Sequence, residues 1–174
     1  MEEEKTLPIS ISPVVARTVS AGLTTLSFAI PFALGHSQFL TGSLVNAALF
    51  SAAIFLPEKL LLPIIFMPGL AVLTRGMIFG PLTPFLFPLL PLIWTGNLIL
   101  VVVFKRFFPK VGFSLAIFPA ALVKSLILYL SASLLFNFQI IPRMFLQTMG
   151  INQLITAILG GFLVLIALRP IYHE

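Results

Sequence analysis

The chain has 174 residues, of which 59% are hydrophobic and 9% charged, too few polar side chains to cover a water-soluble globule of this size. Ten Lys and Arg against five acidic residues give a net charge of +5, a balance that reports basic membrane-flanking loops rather than nucleic acid when apolar runs fill nearly the whole chain. Cysteine is absent, which excludes disulfides, thiolate chemistry and cysteine-bound metals.

Residues 1–13 open with Met-Glu-Glu-Glu-Lys, an acidic start unlike a cleavable secretory signal, and are expected to form a cytoplasmic N-terminal segment. Residues 14–174 then predict a single all-α domain of six transmembrane helices. The apolar runs lie at 14–34, 43–56, 60–74, 82–104, 111–136 and 144–168. Four exceed the roughly 20 residues needed to cross a bilayer, while the second and third are shorter. Two short crossings joined by a turn at 57–59 are preferred to a re-entrant hairpin, which would carry Glu58 and Lys59 to mid-membrane. Alternating barrel patterns are absent, so helices are expected to satisfy the backbone.

With both termini cytoplasmic, the inside holds Lys5, Arg17, Lys59, Lys105, Arg106, Lys110 and Arg169, and the outside only Arg75 and Arg143. That asymmetry is the positive-inside pattern of a multi-pass cell-membrane protein. Prolines cluster at Pro57, Pro63, Pro68, Pro81, Pro84, Pro88 and Pro91, where helices are expected to break or bend. No repeat relates the two halves.

Most polar residues within or beside the spans fall on the outer side. Gln38 lies in the connection that ends at Ser43, Asn46 follows one turn into the second span, and Arg75 comes after the third. Asn137, Gln139, Arg143 and Gln147 lie before the sixth, which opens with Asn152 and Gln153. Helical spacing groups Gly42, Ser43, Asn46 and Ala53 on one face, and Gln153, Thr156, Ala157 and Gly160 on another. Trp94 and Asn97 sit three apart in the fourth span, and Lys124 shares a face with Ala120, Ala121 and Ser131 in the fifth. Amides at such positions ordinarily bridge helices with bonds worth about 1 kcal/mol or less. Lys124 is different. It lies mid-span, the chain has no Asp, and its Glu residues lie near the termini or at Glu58. A wet cavity, carbonyl oxygens, a neutral amine or an anionic ligand must accommodate it. Together with Arg75 and Arg143, it points to an anionic or carboxylate-bearing solute.

Chemistry is sparse. No metal-binding His pair, catalytic carboxylate pair, nucleophile elbow or phosphate-cradling Gly-rich loop occurs, and His36 stands alone, so the chain is read as neither an enzyme nor a cofactor protein.

The segment Gln38-Phe39-Leu40-Thr41-Gly42-Ser43-Leu44-Val45-Asn46-Ala47, with Trp94-Thr95-Gly96-Asn97 and the six-span layout, resembles the substrate-binding S components of energy-coupling factor (ECF) transporters, in a branch of unassigned solutes. The resemblance implies a subunit for vitamin or nutrient uptake. It would be energised by a separate ECF transmembrane coupling subunit and two ATPase subunits, with gating by the first external loop. It places the solute among Gln38, Asn46, Arg75, Trp94, Asn97, Lys124 and Gln153. With one Trp and two Tyr, a small polar or acidic metabolite is expected rather than a large flavin. The family's Ala-x-x-x-Ala docking feature corresponds to Ala16-Arg17-Thr18-Val19-Ser20, with Ser as the second small residue and Thr24 a turn further. Competing readings are a structural or assembly membrane protein without solute, and a homo-oligomeric channel.

Overall fold

The computed structural model describes residues 11–34, 37–80 and 83–172, and all regular structure among them is helical. Met1 to Ser10, with Lys5, and the Gly35-His36 pair lie outside the described residues. Helix α1 spans Pro13–Leu34, α2 Gln38–Phe55, α3 Leu62–Phe79, α4 Thr83–Val111, α5 Phe113–Asn137, α6 Met144–Met149 and α7 Ile151–Tyr172, with a short 3-10 turn at Glu58–Leu60 before α3. Among the described residues, six segments are long and apolar enough to cross a membrane, the last combining α6 with α7, so the chain is a multi-pass all-α membrane protein.

Several boundaries differ from the hydropathy reading. The second span starts at Gln38 instead of 43, because Ser37 caps α2 by accepting the Leu40 N–H at 3.4 Å. The third continues to Phe79. Residues 105–110, expected as a loop, complete the last turns of α4, where Lys110 suits the negative end of the helix dipole. The chain reverses at Gly112, whose φ of 78° favours glycine. No neighbour obstructs a Cβ there, so Gly112→Ala meets only backbone strain, and a loss of about 1 kcal/mol is expected in thermal unfolding in detergent.

Pro57 lies in the break after α2, and Pro63 and Pro84 in the first turns of α3 and α4, as expected of helix boundaries, while Pro81 lies outside the described residues. Pro68, Pro88 and Pro91, by contrast, sit inside continuous helices. Pro68 removes one backbone donor from α3, and in the preceding turn the Ile65 and Phe66 carbonyls accept additional bonds from α4 side chains, Asn97 Nδ2 at 3.1 Å and Trp94 Nε1 at 3.0 Å.

Helix α2 is the hub, packing on α1, α3, α4 and α7. Half of its 18 residues are buried, against four of the 22 in α1. It approaches α7 through glycine: a Cβ on Gly160 would lie 2.6 Å from the Ser43 carbonyl oxygen, and one on Gly42 would lie 2.9 Å from the Thr156 side chain. Helix α5 is apolar all round. Leu115, Leu122, Leu126 and Leu130 face outward, as lipid contact requires, while Ala116, Ala120, Ala121 and Lys124 face inward.

Two apolar clusters fill the interior. The larger is centred on Phe50, Phe104, Phe108 and Phe113, with ring centroids 4.9 Å apart for Phe50–Phe104 and 5.2 Å for Phe104–Phe113. Its end of the bundle is the basic end, carrying Arg17, Lys59, Lys105, Arg106 and Lys110. Lys105 Nζ there donates to the Leu56 carbonyl that follows α2, at 3.0 Å. The smaller cluster comprises Leu89, Leu128, Ala132, Ile141, Phe145 and Met149 towards the far end. Along α4 the first begins at Leu100 and the second ends at Ile93; along α5 they stop at Ala121 and start at Leu128. Asn97 and Lys124 occupy the gaps.

Candidate functional site: a lysine and amide layer

Lys124 sits at the middle of α5 with 2% of its surface exposed. An amine cannot lie among leucines without hydrogen-bond partners. Its Nζ donates to Asn46 Oδ1 on α2 at 2.7 Å and to Asn97 Oδ1 on α4 at 2.9 Å. Both asparagines are themselves buried and held from behind. Asn97 Nδ2 is anchored on the Ile65 carbonyl of α3, and Asn46 Nδ2 donates to Thr156 Oγ1 of α7 at 3.3 Å. These anchors use the amide nitrogens, so each carbonyl oxygen points at the amine.

The chain of bonds continues towards the far end. Thr156 Oγ1 donates to the Asn152 carbonyl at 2.8 Å, and Asn152 Nδ2 donates to Gln38 Oε1 at 2.9 Å. Gln38 Nε2 in turn donates to the Thr148 carbonyl in α6 at 3.1 Å. Four of the anticipated residues, Gln38, Asn46, Asn97 and Lys124, therefore belong to one network joining α2, α4, α5 and α7. The acceptor groups around the amine are neutral carbonyls. Glu58, the only acid among the described residues, lies exposed at the basic end.

Three other anticipated residues are placed elsewhere. Trp94 lies one turn before Asn97, but its indole is directed at α3, bonded to the Phe66 carbonyl and edge-on to the Phe66 ring at 4.9 Å. Arg75 donates to the Phe32 and Ala33 carbonyls, closing the last turn of α1. Gln153 contributes its backbone carbonyl, which accepts from Thr156 at 3.3 Å; the amide that enters the network is its neighbour Asn152. The four-residue spacing Asn152, Thr156, Gly160 carried that signal, one position away from the stripe read from the sequence.

The residues expected at a docking surface lie against this chain's own helices. Ala16 and Ser20 are buried, Thr24 is half-buried, and Ser20 Oγ donates to the Leu60 carbonyl at 3.2 Å. These small residues permit α1 to pack on the element leading into α3, so that face is already occupied by this chain. The face exposed along α1 carries Thr18, Ala21, Gly22, Thr25 and Ala29 instead.

A cavity of about 580 Å³, not anticipated as such from the sequence, opens at the far end. Phe85, Phe136, Asn137, Gln139, Ile141 and Pro142 line it. Its volume falls within the range of small-molecule pockets. No model of a known protein family, no curated protein and no solved structure matches the chain.

Proposed function

We propose that the protein is a membrane-embedded solute-binding subunit, similar in role to an ECF S component, that captures a small acidic nutrient or vitamin. The observation that carries this reading is Lys124, a buried amine gripped by two anchored amide oxygens in a chain with no Asp, whose one acid among the described residues, Glu58, lies exposed at the basic end. A lysine ammonium offers three donors. Asn46 and Asn97 take two, and the third is available to a carboxylate oxygen of the solute. Buried ionisable groups in spans characteristically mark transport paths. In this reading the basic end faces the cytoplasm and the far-end cavity faces outside. Translocation is driven by a separate coupling subunit and two ATPase subunits.

Native mass spectrometry of gently extracted protein tests this: a co-purifying acidic small molecule is the expected result, and a ligand-free protein isolated from every growth condition counts against it. The mutual satisfaction of Asn46, Asn97, Thr156 and Lys124 favours a second reading, a structural protein in which the network only joins helices. It predicts no bound molecule.

For the partner surface, we propose the exposed face of α1. A Cβ on Gly22 meets nothing within 4 Å, so Gly22→Trp leaves the fold intact. It is expected to abolish co-purification of ATPase subunits while bound solute is retained. Undiminished co-purification removes α1 from the interface.

A further inference from the structure

Between the far-end cavity and Lys124 lies a plug. Lys124, Leu128, Ala132 and Phe136 follow one another at four-residue steps along α5, so the backbone at the cavity-lining Phe136 stands about 18 Å along the helix from that of Lys124 at the helical rise of 1.5 Å per residue. The intervening space is filled by the smaller apolar cluster, to which α6 supplies Phe145 and Met149, 6% and 4% exposed. Phe145 packs against the cavity-lining Phe85 with ring centroids 6.2 Å apart.

Helix α6 is built as a separable piece. It is six residues long, preceded by a connection in which Gln139 adopts a left-handed φ of 59° and followed by the helix break at Gly150. Its side-chain tether to α2 is the bond from Gln38 Nε2 to the Thr148 carbonyl. The other end of the same amide accepts from Asn152, and through Thr156 and Asn46 the bonds reach Lys124.

We infer that the cavity is a receiving chamber for a small amphipathic solute and that α6 is the gate between chamber and amine, with Gln38 as its latch. The Phe85 and Phe136 rings suit the apolar body of the solute, and the Asn137 and Gln139 amides suit its polar groups. Withdrawing Phe145 and Met149 opens the route. Engagement of Lys124 by an acidic group pulls on Asn46 and is transmitted through Thr156 and Asn152 to the latch. This inference rests on the reading of Lys124 as a solute contact, but its test needs no solute.

The natural absence of cysteine makes single-thiol labelling clean. In detergent-solubilised full-length protein, Met149→Cys is labelled with a charged methanethiosulfonate, alone and combined with Gln38→Ala. The exposed Gln147→Cys serves as control. The expected result is slow labelling at 149, accelerated about tenfold by Gln38→Ala, with no change at 147. Gln38→Glu, which keeps an acceptor for Asn152 and loses the donor to Thr148, is expected to accelerate labelling similarly while leaving the protein monodisperse. Equal rates at 149 with and without the Gln38 changes overturn the latch. Labelling at 149 as fast as at 147 in the otherwise unaltered chain overturns the gate. If labelling follows the expectation and no solute co-purifies with the unaltered protein, the gate stands and the solute reading falls.

Discussion

Lys124→Met is expected to weaken solute binding by about 100-fold while the six helices remain assembled. Truncating one partner of a buried charged hydrogen bond typically costs 2–5 kcal/mol, and about 3 kcal/mol corresponds to that factor. The fold survives because methionine fills similar space and removes the desolvation burden of the amine, which offsets the two amide carbonyls left unpaired at about 1–3 kcal/mol each. Asn97→Leu is expected to do the opposite. It strands the amine with Asn46 as its remaining amide partner and releases the Ile65 carbonyl, so a stability loss of about 3–5 kcal/mol is expected, with a broad, early thermal transition in detergent. Restoring stability to Asn97→Leu by adding Lys124→Met is the signature of an amine whose placement, not packing, requires the asparagine. The measurements are ligand retention by native mass spectrometry and thermal unfolding. Unchanged ligand retention in Lys124→Met removes the main support for the transport reading.

Gly160→Leu is expected to be the most damaging apolar substitution in the interior. Even a Cβ at this position would meet the Ser43 carbonyl at 2.6 Å, the Asn46 Cβ at 2.7 Å and the Ala47 nitrogen at 2.8 Å. Two of these atoms are backbone, so α2 and α7 must separate, and overpacking of this kind costs about 1–3 kcal/mol or more before any hydrogen bond is counted. Separation also stretches the 3.3 Å bond between Asn46 and Thr156, so the loss propagates into the lysine layer. Folding yield and melting temperature measure it. Gly22→Leu is the matched control at an open position, and equal behaviour of the two variants excludes close α2–α7 packing as a requirement.

The six spans were legible because hydropathy dominates their placement, and Lys124 was legible because a lone amine amid apolar residues has few physical solutions. Helical spacing put Asn46 and Asn97 on polar faces that could converge, but their meeting at Lys124 is set by how α2, α4 and α5 pack. Hydropathy does not encode where a helix stops: Gln38 and Lys105 lie inside helices because backbone hydrogen bonding continues through polar residues near a membrane face. The inward orientation of Ala16 and Ser20 was equally hidden. A small-residue stripe records that something approaches closely, and whether that is a partner or the chain's own 3-10 turn depends on tertiary placement. The same holds for Arg75, whose task of closing α1 is set by helices forty residues apart meeting in space. The choice of Asn152 over Gln153 turned on one step of helical phase.

The polar stratum between the two apolar clusters has a consequence for how the bundle finds its arrangement. Oily helices slide past one another at little cost, since one leucine surface resembles the next, and nothing in lipid fixes their vertical alignment. A shift of α5 by a single turn would carry the Lys124 amine about 5 Å away from both asparagines and into hydrocarbon. The amine and its amides thus act as a registration pin, discarding misaligned assemblies in the way a buried asparagine fixes the alignment of a coiled coil.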